Sequence, residues 1–145
     1  FLDHGVVSRH AAAHRGADDL VVVGYMPVAT HQRWPRGNAT IRFYAESYES
    51  HCKGYEERPE EILKALWGGN VSVRRSCWLK AIERPRTKAW GHDDQEIGLL
   101  FLRDGLRATF DRSLHGRHFD ARPRPRFVER AEKSPAGQAA LHRSR

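Results

Sequence analysis

The sequence predicts an α/β unit, on three observations. Residues 20–25, Leu-Val-Val-Val-Gly-Tyr, form a β-branched run after Asp18-Asp19 and read as a strand buried on both faces. Residues 94–104 place apolar side chains at helical spacing and stop at Gly105. Residues 70–74 and 106–110 resume as short strands, so strands alternate with helices as in a layered α/β architecture. A chain of 145 residues fits one domain.

Taken in order, residues 4–15 are Ala-rich without a breaker after Gly5, which predicts a helix carrying His10 and His14 on one face. Pro35 and Gly37 mark residues 34–38 as a loop. Residues 39–55 are mostly helical in pattern, with Phe43, Tyr44, Tyr48 and Cys52 spaced to share faces. Pro59 starts another helix, with Glu60 and Glu61 in its favoured first turn and Ile62, Leu63 and Leu66 apolar. Gly68-Gly69 breaks it before the strand at 70–74. Ser76 is a candidate cap for a helix through Ala81, and residues 84–88 form a basic, Pro-containing loop. Gly105 stands where a left-handed helix cap belongs.

Charge is concentrated at one end. Six arginines and Lys133 against Glu129 and Glu132 give residues 121–145 a net charge of +5, out of +7 for the chain. With little to bury, this tail is expected to be extended or disordered; its alternative use is an arm for nucleic acid or anionic lipid. Cys52 and Cys77 lack the density of a disulfide scaffold, which predicts a reduced, cytoplasmic setting. No run approaches the roughly 18 apolar residues of a membrane span, and no charged-then-apolar leader is seen. A soluble chain is expected.

The chemistry is expected at residues 91–105, where an acidic pair opens an apolar helix. Its structural reading is a capping box, with Asp93 as N-cap and Glu96 three residues on. Trp90-Gly91-His92-Asp93-Asp94-Gln95-Glu96-Ile97-Gly98 also resembles a family motif: Gly, an acidic pair, any residue, Glu, an aliphatic residue and Gly. It follows Gly68-Gly69-Asn70-Val71-Ser72-Val73-Arg74-Arg75 and precedes Ser113-Leu114-His115-Gly116-Arg117-His118. In that order the three blocks resemble the C-terminal half of a nucleotide-sugar-dependent glycosyltransferase of the large inverting family 2, GT-A type. The likeness runs over roughly residues 9–118.

The resemblance implies a partial GT-A fold, a mixed sheet with flanking helices, in which residues 1–120 are the acceptor-side part of a transferase domain. The parent enzyme would transfer a sugar from a nucleoside-diphosphate sugar to a hydroxyl acceptor with inversion. Asp94 takes the place of the catalytic base: the acceptor hydroxyl must lose its proton as it attacks the anomeric carbon. Asp93 would position the acceptor, and Gly69 and Asn70 would line the sugar pocket, where small residues let backbone approach a ligand. Trp67 and Trp90 could stack on a sugar ring. His118, with His115 close by, is the candidate ligand for Mn²⁺ or Mg²⁺ bridging the diphosphate. The family's Asp-x-Asp occurs nowhere in this chain, and Ala81-Ile82-Glu83-Arg84-Pro85 replaces its Gly-Gly-Phe-Asp-Glu. The chain is therefore expected to be inactive alone, with an incomplete sheet holding residues 20–23 and 70–74, an apolar patch exposed where the missing strands would pack, and Asp94, Gly69, Asn70 and His118 around one cleft. No specific nucleic acid is expected as partner, and the basic tail is a candidate for peripheral contact with the inner face of a membrane. The rival class is a small basic module that binds nucleic acid through that tail.

Overall fold

The computed structural model describes residues 2–28, 39–85, 92–119, 129, 132–135 and 139. The β-branched run becomes β1 (Leu20–Tyr25), the central strand of a three-stranded mixed sheet. It pairs antiparallel with β2 (Val71–Val73) and parallel with β3 (Arg107–His115). Around the sheet stand α1 (Val6–Ala13), α2 (Ala39–Glu57), a 3-10 helix (Pro59–Ala65), α3 (Arg75–Ile82) and α4 (Asp93–Arg103). The α/β class and the mixed sheet with flanking helices follow the sequence.

The period of two along β1 divides the interior. Val21 and Val23 enter the larger core with Tyr55, Ile62, Leu63, Ile97 and Phe101, while Leu20 and Val22 meet Val6 and Leu114 on the other face. Each fully buried valine contributes about 1.5–3 kcal/mol, so cover on both faces is what makes an apolar strand favourable. α4 ends in a Schellman motif: the Leu106 N–H donates to the Phe101 carbonyl at 3.0 Å and the Gly105 N–H to that of Leu102 at 3.0 Å. Gly105 sits at φ 79°, and Phe101 and Leu106 are both buried beside the turn. The expected glycine cap is present.

Four elements differ from expectation. Residues 59–65 wind as a 3-10 helix rather than an α-helix. Seven residues return little on the cost of nucleation, and the Ala65 carbonyl is taken by the Tyr55 hydroxyl at 2.6 Å. Ser76 lies inside α3, whose N-cap is Arg74 without a side-chain cap. The N-cap of α4 is His92, not Asp93, so no capping box forms and Asp93, Asp94 and Glu96 all occupy the first turn, where the helix dipole favours acids. β3 runs past Phe110 because a bulge lets polar residues into the strand, Gly24 pairing with Asp111 and Tyr25 with His115. The bulge carries Arg112 to α2, where it pairs with Glu49 at 2.8 Å and Glu56 at 2.5 Å.

Part of the tail and of the apolar surface is described. Tail residues 129, 132–135 and 139 are helical, with Lys133 paired to Glu129 at 2.5 Å one turn away. Of the exposed large apolar side chains, Val7, Phe43, Trp78, Ile82 and Leu102 lie on helices, while Leu2 and Phe119 lie off them, Leu2 bridging Gly116 just past β3. Cys52 and Cys77 are both free. Among the described residues no helix is long and apolar enough to cross a membrane.

Candidate functional site

Three elements converge at the carboxyl ends of the parallel strands, where open α/β sheets place their ligand crevices. β2 runs antiparallel to β1, so its entry, the 3-10 turn Gly68–Asn70, lies at that end. α4 leads through the tight Gly105 turn into β3 and runs back against it, which brings its acidic first turn to the same end. The strand extensions Met26 to Val28 and Gly116 to His118 continue there, joined by the Val28 to His118 bridge.

Asp94 is exposed, and its Oδ2 accepts a hydrogen bond from the Gly68 N–H at 3.0 Å. A Cβ at Gly68 would stand 2.6 Å from Asp94 Oδ1 and 2.7 Å from its Cγ. Only glycine fits against the carboxylate as it stands. Gly69 is exposed and approaches the Met26 side chain. Asp93 is exposed in the first turn of α4, and Trp90 lies outside the described residues.

His118 reaches this end through its backbone, whose N–H donates to the Pro27 carbonyl at 3.0 Å. Its ring lies 5.8 Å from that of Tyr44, and Tyr44 in turn lies 5.5 Å edge-on from Trp67. Trp67 immediately precedes Gly68. Ring contacts thus link His118, Tyr44 and Trp67, and Trp67 adjoins the Gly68–Asp94 pair in sequence. Asn70 stands apart: its side chain is buried, donating to the Leu114 carbonyl at 2.8 Å and facing His10 at 3.0 Å. It holds the turn from inside; its side chain is not offered to the cleft.

α2 fixes the two approaches to this end with a stripe at i, i+4 and i+7: Tyr48, Cys52 and Tyr55, all buried. Tyr48 accepts the Met26 N–H at 2.7 Å, and Tyr55 accepts the Trp67 N–H at 2.9 Å. Burial pushes both phenols above their ordinary range, so they remain protonated hydrogen-bonding groups. Burial likewise pushes the Cys52 thiol up to about 11, which makes it a packing residue and not a nucleophile at neutral pH.

Among the described residues no three His, Cys, Asp or Glu side chains gather as a metal site. His115 is engaged with Asp3 at 2.9 Å. His118 belongs to no such group, and the donors among the described residues do not fit Mn²⁺ or Mg²⁺. A cavity of about 530 Å³ opens between α2 and the 3-10 helix, lined in part by Phe43, Ser47, His51, Arg58 and Glu61. None of Gly69, Asn70, Asp93, Asp94 and His118 is among the residues that line it. At the start of α4, His92 reaches the tail, with Nε2 2.9 Å from the Ser134 carbonyl.

Sequence reasoning overlooked Gly68 as the glycine that meets Asp94, although the doubled glycine was the available signal. It also overlooked Tyr44 and Tyr55, whose roles depend on contacts 12 or more residues away. No protein-family model, curated protein or solved structure matches this chain.

Proposed function

We propose that this chain is the acceptor-side part of an inverting glycosyltransferase domain, with Asp94 as the general base. The observation that carries the reading is the Gly68–Asp94 contact of 3.0 Å at the carboxyl end of β1 and β3. It holds an exposed carboxylate at a helix N-terminus with one oxygen fixed and the other free of that bond. In the reaction, Asp94 Oδ1 takes the proton of the acceptor hydroxyl as the hydroxyl oxygen bonds to the anomeric carbon. The bond from that carbon to the diphosphate oxygen breaks, and its electron pair leaves with the nucleoside diphosphate. Orientation supplies much of the advantage, which is why a carboxylate braced by backbone suits the role. Trp67 and Tyr44 offer aromatic surface beside the base for the apolar face of a sugar.

The reading is tested in the full-length parent enzyme, assayed for release of nucleoside diphosphate from a panel of nucleotide sugars with hydroxyl acceptors and Mn²⁺ present; this chain alone should give none. Acceptor-dependent release supports it. Salt-sensitive binding to arbitrary duplex DNA, lost on deleting residues 121–145 and unaccompanied by turnover, would replace it with the basic nucleic-acid module.

A further inference from the structure

α1 is tied to β2 by a run of polar side chains that the proposed transfer does not use. Asn70 Nδ2 donates to the Leu114 carbonyl at 2.8 Å, so its Oδ1 is the atom that faces His10 and must accept. His10 Nε2, 3.0 Å away, therefore carries a proton. A neutral imidazole holds only one, which makes His10 Nδ1 an acceptor for the Ser72 hydroxyl at 2.7 Å. Ser72 has then used its single hydrogen, and its oxygen accepts from His14 Nε2–H at 2.8 Å. What remains is His14 Nδ1, buried, unprotonated and without a hydrogen-bond partner among the described residues. Each proton in the run is assigned by the one before it.

We propose that His14, Ser72 and His10 form a proton-sensitive latch, which holds the C-terminal end of α1 on β2 and the Gly68–Asn70 turn when His14 is neutral and opens when His14 Nδ1 takes a proton. Protonation there creates a buried donor with no acceptor, in a residue only 8 % exposed. It also adds a charge beside Arg74, whose guanidinium donates to the His14 carbonyl at 2.8 Å. The groups facing His14 are His10 from its own helix, Ser72 from β2 and Arg74 beyond it. Asp18 pairs with Arg74 at 3.0 Å but is 92 % exposed, and Arg9 is turned to the Ser113 carbonyl of β3. Neither neutralises a charge on His14. Burial first, and then Arg74 and His10, hold the His14 imidazole below its ordinary value of 6.5.

The test uses this chain with ¹⁵N-labelled histidine. Long-range ¹H–¹⁵N correlation at pH 7.5 should find both rings as Nε2–H tautomers, and lowering the pH should shift the Ser72 amide and the Asn70 side-chain amide with the His14 midpoint. Hydrogen exchange of the α1 amides should quicken over the same range. His14→Gln keeps a donor for Ser72 and removes the titration, so it should retain the fold and abolish these pH-dependent changes. A His14 ring found as the Nδ1–H tautomer would overturn the proposal. So would Ser72 and Asn70 signals that stay fixed while His14 titrates, or that still move in His14→Gln. If the variant fails to fold, the tautomers and pH profile of the unmodified chain decide the matter.

Discussion

The Gly68 N–H and the Asp94 carboxylate meet at 3.0 Å across 26 residues of sequence, joining the turn before β2 to the first turn of α4. Gly68→Ala tests how closely that fit is set. The added methyl would overlap the carboxylate, but Asp94 is exposed and can rotate aside. Stability should change by no more than about 0.5 kcal/mol in a urea melt. In the full-length parent enzyme transfer should fall by about 10²-fold, as expected for a reacting group displaced by roughly 1 Å. A variant that keeps full activity would show that Asp94 needs no such placement.

Phe101 is buried in the main core between the sheet and the 3-10 helix. Phe101→Ala should cost about 3–5 kcal/mol, read from the denaturant midpoint at unchanged slope. A loss below about 1 kcal/mol would mean that α4 is not packed as described.

Gly105 is the cleanest backbone test. A Cβ there meets nothing within 4 Å, so the only cost of Gly105→Ala is holding alanine at φ 79°. Roughly 1–2 kcal/mol should be lost, against nearly none if the cap adopts another conformation.

Hydrogen bonds from Arg112 hold the Glu49 and Glu56 carboxyls below their ordinary value of 4.5. The unfolded chain therefore binds more protons as pH falls through that value. The stability these groups contribute is complete above it and is lost as pH drops towards the lower folded values. Arg112→Ala should flatten this acid limb in thermal melts taken from pH 6 down to about pH 3. An acid limb of unchanged steepness would show that the pairing with α2 does not form in solution.

The sequence made the elements with strong local signals legible. β1 was visible as a β-branched run, α4 as a periodic stretch closed by Gly105, and α1 as an Ala-rich segment with His10 and His14 on one face. The rest depends on partners distant in the chain. The 3-10 winding of residues 59–65 reflects Tyr55 on α2, and the length of β3 reflects the pairing of Tyr25 with His115. At the site, the acidic pair and the glycines were legible as types, but which glycine met which acid was not. Asn70 turned inward because His10 and the Leu114 carbonyl, 60 and 44 residues away, complete its hydrogen bonds.

Asp94→Asn in the full-length parent enzyme is the most direct measurement, made by comparing sugar transfer, nucleotide affinity and melting temperature before and after the change. Asparagine can still accept the Gly68 N–H but cannot take a proton from the acceptor hydroxyl. Transfer should fall by at least about 10²-fold to 10⁴-fold, with nucleotide affinity and melting temperature nearly unchanged. Transfer at the original rate, or its loss only together with the folding transition, would contradict Asp94 as the base.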